Sequence, residues 1–385
     1  MRLRRTPLTA AVAALVTTIL LAIGTTAVAT TAMATTAGAQ PAAGTARSTV
    51  PWNSVGAGWV LAQYTSAPPG PGGSGPEELY LISPGGTRYK LASWPSWRTA
   101  PQLLAWSPDG QRALFQVFSG KGGVEQLTLA TGQMTTFVMQ GAASPIGYTT
   151  PRGLNIVAGR PSGSGTSLAR YNLSGRLVQS LGYSADGQAL YTPSGTEFLT
   201  GASNGLKLVS NGGVLARTLP VRGTGANSCN PVRWWSSGTA LAECTPPNGD
   251  GPQIWLVPVS GARPTALTPP RHASSGDLGD IDAWSLPSGL YLQTLGPCGV
   301  LQVFKQAGNG SVALVTVPHT TGDNHVLTAL GSRLLIQAPT SCIGSNSLLW
   351  YNPATRAEQW LIRAPANVSG VSAALPFYSR QDGSL

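Results

Sequence analysis

The chain has 385 residues, of which 48 are Gly and 31 are Pro, so turns must be frequent. Charged residues make up only 10% of the chain, and long amphipathic helices need more charge than this on their solvent-facing side. The formal net charge is +10, but the Lys and Arg residues are scattered and form no run that would follow a nucleic-acid backbone. The composition excludes a helical bundle, predicts an all-β protein of short strands and predicts no nucleic-acid partner.

Residues 1–39 are typical of a secretory signal peptide. A cationic start at residues 1–5 is followed by an uncharged apolar stretch from Leu8 to Ile23 and then by small-x-small cleavage sites that end at Ala39. The alternative is an uncleaved anchor helix, since the uncharged segment is long enough to cross a bilayer. We expect removal, a mature protein that is secreted or exposed at the cell surface, and no membrane span after removal.

Residues 40–55 are rich in small residues and Pro and show no hydrophobic period, which is typical of a flexible tether. From residue 56 to residue 385 one pattern recurs: a β-rich run, an aromatic residue, Ser or Thr, a turn with Gly, and another β-rich run. The reference positions of the seven copies are 106, 148, 191, 235, 284, 329 and 378. A period in the forties with several short strands per unit predicts a β-propeller over residues 56–385.

The two ends of the repeat region complement each other. The first unit begins with a run typical of a second strand, Trp59–Tyr64, and the last unit supplies only a first strand, Val371–Phe377. If these two strands pair, seven four-stranded blades close into a ring, with strands A to D running outward from its centre. Six or eight blades remain alternatives, because residues 196–220 and 323–345 fit the pattern loosely.

The fullest copy contains Trp106-Ser-Pro-Asp-Gly110, which resembles the blade motif of TolB-type, WD-like propellers of bacterial exported proteins. The resemblance covers all units in pattern, but one unit alone has the full motif. The His and Trp-Asp pairs of eukaryotic WD repeats are absent from the sequence. The resemblance implies that the aromatic residue packs between blades and that Asp-Gly closes the A–B turn. It implies the fold and leaves the chemistry undecided.

The predicted binding face carries the D–A and B–C connections, because the A–B turns are tight and propellers bind ligands near the longer connections. The ligand-contact candidates in these connections are His272, Asp277, Asp280, Asp282, His319, Asp323, His325, Trp94 and Trp97. Imidazoles and carboxylates are metal-ligand types, but their spacing matches no compact metal motif. The sequence therefore predicts no cofactor and assigns no metal ligand.

No complete catalytic constellation occurs in the sequence. The string closest to a Gly-x-Ser-x-Gly elbow is Gly165–Ala169, which ends in Ala, and no phosphate-binding loop motif occurs. The sequence therefore favours a monomeric binding or scaffolding module of the bacterial envelope, with a protein or an envelope polymer as partner. The alternative is an envelope metal-dependent hydrolase or lyase that uses the His and Asp residues of the D–A loops.

Four cysteines in an exported chain predict disulfides. Cys229 and Cys244 flank a hairpin and would face each other across it, whereas Cys298 and Cys342 occupy equivalent B–C connections of adjacent blades. The preferred pairing is Cys229–Cys244 with Cys298–Cys342, one of three pairings that four cysteines allow. A Cys₄ metal site is disfavoured because no Cys-x-x-Cys knuckle is present.

Overall fold

Short apolar runs separated by Gly-containing turns form antiparallel β-sheets throughout the computed structural model. It describes residues 49–68, 75–117, 123–162, 165–182, 189–221, 228–246, 250–270, 278–296, 299–341 and 344–377. The strands are β1 (Val60–Thr65), β2 (Glu77–Ile82), β3 (Arg88–Trp94), β4 (Gln102–Trp106), β5 (Arg112–Val117), β6 (Gly123–Thr128), β7 (Met134–Val138), β8 (Ser144–Tyr148), β9 (Asn155–Ser162), β10 (Gly165–Asn172), β11 (Leu177–Gly182), β12 (Leu190–Tyr191), β13 (Glu197–Ala202), β14 (Gly205–Ser210), β15 (Leu215–Pro220), β16 (Ser228–Ser236), β17 (Thr239–Thr245), β18 (Gln253–Pro258), β19 (Thr265–Ala266), β20 (Asp280–Leu286), β21 (Gly289–Leu295), β22 (Leu301–Gln306), β23 (Val312–Leu314), β24 (His325–Leu330), β25 (Arg333–Ser341), β26 (Gly344–Asn352), β27 (Ala357–Ile362) and β28 (Gly370–Pro376).

Across the described ranges, the strands pair as seven blades of four, which confirms the predicted seven-bladed propeller. Blade 1 is β28-β1-β2-β3, and blades 2 to 7 follow in chain order from β4–β7 to β24–β27. Single backbone bridges link blade 4 to blade 5, at Ala202 and Cys229, and blade 7 to blade 1, at Asn346 and Gly370. Within blades 2 to 7 the chain runs from inner strand A to outer strand D, and in blade 1 the last strand, β28, takes the A position, so the A strands surround the centre.

Blade 1 closes the ring in the way the sequence predicts. β28 pairs antiparallel with β1, in a register that runs from Val60 opposite Pro376 to Thr65 opposite Gly370. Beyond this ladder the backbone N–H of Phe377 donates to the carbonyl of Trp59 at 2.8 Å. A strand from the end of the described chain therefore completes a sheet whose other strands come from its beginning, and both edges of β1 are paired.

The Trp106–Gly110 motif of blade 2 has the structural role that the resemblance implies. Asp109 accepts hydrogen bonds from the Ser107 hydroxyl at 2.6 Å and from the Arg112 guanidinium at 2.7 Å. Gly110 has φ +74°, a conformation that residues with a Cβ rarely adopt. The Trp106 ring packs edge-on against Phe377 of blade 1, with ring centroids 5.0 Å apart. The motif thus closes a turn and joins two blades.

The core consists of apolar layers between neighbouring blades. Leu61 of blade 1 and Phe115 of blade 2 are fully buried in one such layer. Val50, within the segment predicted as a tether, is also buried there at 6% exposure, next to a single 3-10 turn at Trp52–Ser54. Packed structure in the described chain therefore begins before residue 56.

The predicted signal segment, residues 1–39, and the tether up to residue 48 lie outside the described residues, so their boundaries stay predictions. Among the described residues, no helix is long and apolar enough to cross a membrane.

Candidate functional site

The inner strands of blades 5, 6 and 7 surround a cavity of about 420 Å³, which we call the inner-strand cavity. It lies where β16, β20 and β24 begin, on the side of the D–A connections. Its lining residues are Pro231, Val232, Glu243, Ile281, Asp282, Trp284, Gln293, His325 and Val326. The cavity therefore brings together two carboxyls, an imidazole and the amide of Gln293 beside apolar side chains.

An ion pair across blades 5 and 6 fixes one of these carboxyls. Arg233 Nε donates to Asp282 Oδ1 at 3.0 Å, and the backbone N–H of Ala283 donates to the same oxygen at 2.7 Å. The Arg233 guanidinium also lies over the rings of Trp235 and Trp284, 5.6 and 5.4 Å from their centroids. Burial raises the pKa of Asp282, and the Arg233 charge and these hydrogen bonds oppose the increase. Asp282 is thus held in one orientation by a paired, stacked cation.

Glu243 on β17 is the second carboxyl of the cavity. Burial, together with the negative charge of Asp282, raises the pKa of Glu243 to about 7. The part of the chain that the structure describes provides no hydrogen bond to the Glu243 side chain. Near neutral pH this residue therefore holds a proton about half of the time, unlike an ordinary surface glutamate.

His325 begins β24 and lies at the accessible edge of the cavity. The surrounding protein desolvates its imidazole and lowers the pKa, against the smaller opposing effect of Asp323. A histidine with a lowered pKa is neutral at pH 7, with one ring nitrogen as donor and the other as acceptor. Two residues that the sequence predicts as ligand contacts, Asp282 and His325, thus line the same cavity.

Two of the three predicted histidines, His319 and His325, line different cavities. His319 lines a separate cavity of about 420 Å³, together with Trp360 and Arg363 of blade 7 and its following connection. The Arg363 guanidinium lies 5.3 Å from the centroid of the Trp360 ring. His272 lies outside the described residues. Within the described ranges, no group of three His, Cys, Asp or Glu side chains is placed to hold a metal ion.

The remaining predicted acidic residues have internal contacts. Asp280 is 1% exposed and accepts a hydrogen bond from the Thr294 hydroxyl at 2.9 Å. Asp323 accepts the backbone N–H of Leu301 at 2.7 Å and so ties a D–A connection to the start of β22. Asp277 lies outside the described residues. Through these contacts, Asp280 and Asp323 stabilise the backbone at the D–A and B–C connections.

The two predicted tryptophans differ in exposure. Trp94 is 3% exposed and packs against Phe115, with ring centroids 5.7 Å apart, so it belongs to the core between blades 1 and 2. Trp97 is 38% exposed, and the Arg98 guanidinium lies 5.3 Å from its ring centroid. Trp97 therefore offers an aromatic surface on the face of the D–A connections, whereas Trp94 does not.

The predicted Cys229–Cys244 disulfide is present and joins β16 to β17. The two residues pair directly in the β-ladder, and the next pair along it is Asn230 with Glu243. The disulfide therefore fixes the backbone of blade 5 beside the inner-strand cavity. Cys298 and Cys342 lie outside the described residues, so their pairing stays a prediction.

Sequence reasoning missed Glu243 and Arg233, because both lie within strands and not in the connections. One signal could have identified Glu243. In the aligned second strands of blades 5, 6 and 7, it takes the position that Gln293 and Gln337 occupy in the next two blades. A carboxyl at a position where the next two blades have an amide departs from the repeat, and such a departure indicates a candidate functional residue.

No protein-family model and no curated protein matches the sequence. Among solved structures, a prolyl endopeptidase aligns with a TM-score of 0.53 and 15% identity, over 80% of this chain and 51% of that chain. A puromycin-hydrolyzing peptidase of Mycobacterium tuberculosis aligns with a TM-score of 0.48 and 14% identity, over 79% of this chain and 54% of that chain. TolB from Acinetobacter baumannii aligns with a TM-score of 0.42 and 14% identity, over 83% of this chain and 66% of that chain.

The chain spans about half of the length of the two peptidases. At 15% identity, the alignment with the prolyl endopeptidase shows the fold alone. The class of protein that fold and comparisons define is therefore a β-propeller.

Proposed function

We propose that this chain is an exported, TolB-type propeller that acts as a binding or scaffolding module of the bacterial envelope. Its ligand is contacted at the inner-strand cavity, with Asp282 and His325 among the contacts. The observation that carries the proposal is the cavity itself, where polar side chains from three consecutive blades meet on the side of the longer connections. Recognition requires shape and a few fixed polar groups, and the paired Asp282 and Arg233 supply such groups.

Export is supported by the signal-like residues 1–39 and by the Cys229–Cys244 disulfide, since disulfides persist mainly outside the reducing cytoplasm. Mature protein recovered outside the cytoplasm should begin between Thr30 and Gln40. N-terminal sequencing tests this. Met1 found on membrane-bound material would favour the uncleaved anchor instead.

A photo-cross-linker at a defined position tests the binding face. The cross-linking residue replaces Val232, which lines the inner-strand cavity, or Val138, which is 57% exposed on outer strand β7. In intact cells, position 232 should form a discrete adduct with one protein or envelope polymer, and position 138 should not. The same adduct at both positions, or at neither, would contradict the proposed binding face.

The alternative is an envelope hydrolase or lyase, and one observation favours it. Glu243 and Asp282 share a cavity, and a carboxyl with a pKa of about 7 suits a general acid at neutral pH. The metal-dependent version would need ligands in addition to those that the described residues bring together. Metal analysis with activity screening separates the two functions.

A further inference from the structure

Glu243, Gln293 and Gln337 occupy one position in three successive blades. Each is the fifth residue of its blade's second strand. The count starts at the first residue after the tight A–B hairpin, which is Thr239 in blade 5, Gly289 in blade 6 and Arg333 in blade 7. The strands β17, β21 and β25 are therefore in the same register at this point. A difference in side chain here is a difference between otherwise equivalent sites.

In blades 6, 7 and 1 an amide at this position joins neighbouring blades, whereas blades 3 and 4 have Gly159 and Gly201 there. Gln293 Nε2 donates to the carbonyl of Asn324 at 2.9 Å, and its Oε1 accepts the N–H of Val326 at 2.7 Å. Gln337 Nε2 donates to the carbonyl of Val371 at 3.1 Å. Gln63 of blade 1 has the same role, with bonds of 2.7 and 2.8 Å to the chain that leads into blade 2. An amide suits this role because it donates and accepts at once.

Within the described part of the chain, Glu243 makes no such connection to blade 6. An ionised carboxylate has no N–H to donate, so it cannot replace the amide at a backbone carbonyl. The inner-strand cavity lies at this point, and the Glu243 side chain lines it. At this position blade 5 thus presents a carboxyl to a cavity, where blades 6 and 7 have an amide that links them to the next blade.

The charges that face Glu243 leave its carboxylate without a balancing cation among the described residues. Asp282 on β20 is already paired with Arg233 of β16. His325 on β24 is neutral at pH 7, because desolvation lowers its pKa. When Glu243 is ionised, no cation of the described residues other than the already paired Arg233 accompanies its charge in these partly apolar surroundings, which is costly.

We propose that Glu243 is the specificity-determining residue of the inner-strand cavity and that its carboxylate binds a cationic amino group of the ligand. This inference rests on the proposed binding function and names the chemical class of the ligand as an amine. A ligand ammonium group would donate to the Glu243 oxygens and neutralise the cavity. An uncharged ligand would leave the carboxylate without a cation or favour its protonated form.

The test uses pairs of probes that differ in one amino group. The first pair is a terminally blocked Gly-Lys-Gly peptide and its Nε-acetyl-lysine form, and the second is glucosamine and N-acetylglucosamine. Each probe is titrated at millimolar concentration into the mature protein and followed by calorimetry or ligand-observed NMR. The variants are Glu243→Gln and, as a matched control, Glu125→Gln, since burial also raises the pKa of Glu125 on β6 of blade 2.

We expect an amine from at least one pair to bind, with its acetylated partner weaker by roughly 10-fold or more. Glu243→Gln should remove that preference, whereas Glu125→Gln should retain it. Affinity should also fall by roughly 10-fold per pH unit below pH 7, because ligand and proton compete for the same carboxylate. The Glu243→Gln variant should fold, since Gln is the residue that blades 6 and 7 carry at this position, and a melting curve of the variant checks this.

Three outcomes would overturn the inference: equal binding of both members of each pair, amine binding that Glu243→Gln leaves unchanged, and absence of binding by both amines. In each case the cross-linking at position 232 judges the binding function separately. A discrete adduct there, without amine preference, would retain the proposed function and reject the role of Glu243. Failure of both experiments would reject both.

Discussion

The Ser372 hydroxyl on closing strand β28 donates a 2.5 Å hydrogen bond to the Glu77 carboxyl on β2. The two strands flank β1, so this contact spans the sheet in which the ring closes. Glu77 is 2% exposed, and burial raises its pKa to about 7, although hydrogen bonds from Ser372 and Thr65 oppose the increase. The closure of the propeller therefore contains a buried carboxyl that titrates near neutral pH.

Replacing Glu77 by Gln should change how stability depends on pH. The folded-state pKa is about 7 and the reference value is 4.5, so the folded protein binds the proton more tightly than the unfolded chain. The free energy of unfolding should therefore fall as pH rises from about 4.5 to 7, by roughly 2–3 kcal/mol from this group. Glu77→Gln should be more stable than the wild type at pH 8 and close to it at pH 4. Urea unfolding across this range measures the difference.

Ser372→Ala provides the second arm of that experiment. It removes the donor that favours the ionised form, so the pKa of Glu77 should rise further and stability at pH 8 should fall by about 1 kcal/mol. Parallel pH profiles of Glu77→Gln and the wild type would contradict the role assigned to this carboxyl.

Deleting residues 368–385 should abolish cooperative folding. The deletion removes β28, which exposes the inner edge of β1 and breaks the contact between Ser372 and Glu77. Deleting residues 378–385 alone retains β28 and should leave a cooperative transition. Circular dichroism melting compares the two truncations with the full-length mature protein. A melting temperature of the longer truncation equal to that of the full-length protein would reject ring closure by β28.

The fold could be predicted because tight A–B hairpins repeat the aromatic residue and the turn at a regular interval. The last copy shows the limit of that reasoning. The sequence places its reference residue at Tyr378, which lies outside the described residues, while the described strand ends at Pro376 and Phe377 packs against Trp106. In blade 1 no covalent hairpin joins strands A and B, so the spacing of the other units does not fix the residue there.

The candidate site could be predicted only in part. Asp282 and His325 are polar residues next to long connections, and the ring brings those connections to one face. Glu243 and Arg233 lie within alternating strands, where a polar residue is ordinarily a solvated side chain. Their positions in the cavity depend on how blade 5 packs against blade 6. This packing cannot be predicted from the residue pattern of one strand.

Exchanging amide and carboxyl between blades 5 and 6 should have opposite effects on stability. Glu243→Gln removes a half-buried carboxyl and should be neutral or stabilising by up to about 1 kcal/mol at pH 8. Gln293→Glu removes the donor to the carbonyls of Gln302 and Asn324 at a position 1% exposed, and should destabilise by about 2–3 kcal/mol. Urea unfolding of both variants tests the pair. Equal effects would mean that the two positions are not equivalent.

Removing the blade 5 disulfide should lower stability. Cys229→Ala with Cys244→Ala frees the hairpin of β16 and β17, and should cost about 2–4 kcal/mol, mainly because the unfolded chain gains freedom. Peptide mapping without reductant should show Cys229 joined to Cys244, and we predict Cys298 joined to Cys342. Four free thiols in exported protein would contradict both disulfides.

Replacing His272, His319 and His325 together by Ala should leave the protein folded. The substitution should not change its metal content. His319 and His325 line different cavities and lie at the surface side of the connections, where substitutions usually change stability by less than about 0.5 kcal/mol. The melting temperature should therefore stay within a few degrees of the wild type.

A binding module that uses no metal should also contain no stoichiometric zinc or calcium before the substitution. Elemental analysis and a hydrolase and lyase screen of both proteins measure this. Stoichiometric metal in the wild type, lost with an activity in the triple variant, would reject the binding module and establish the enzyme.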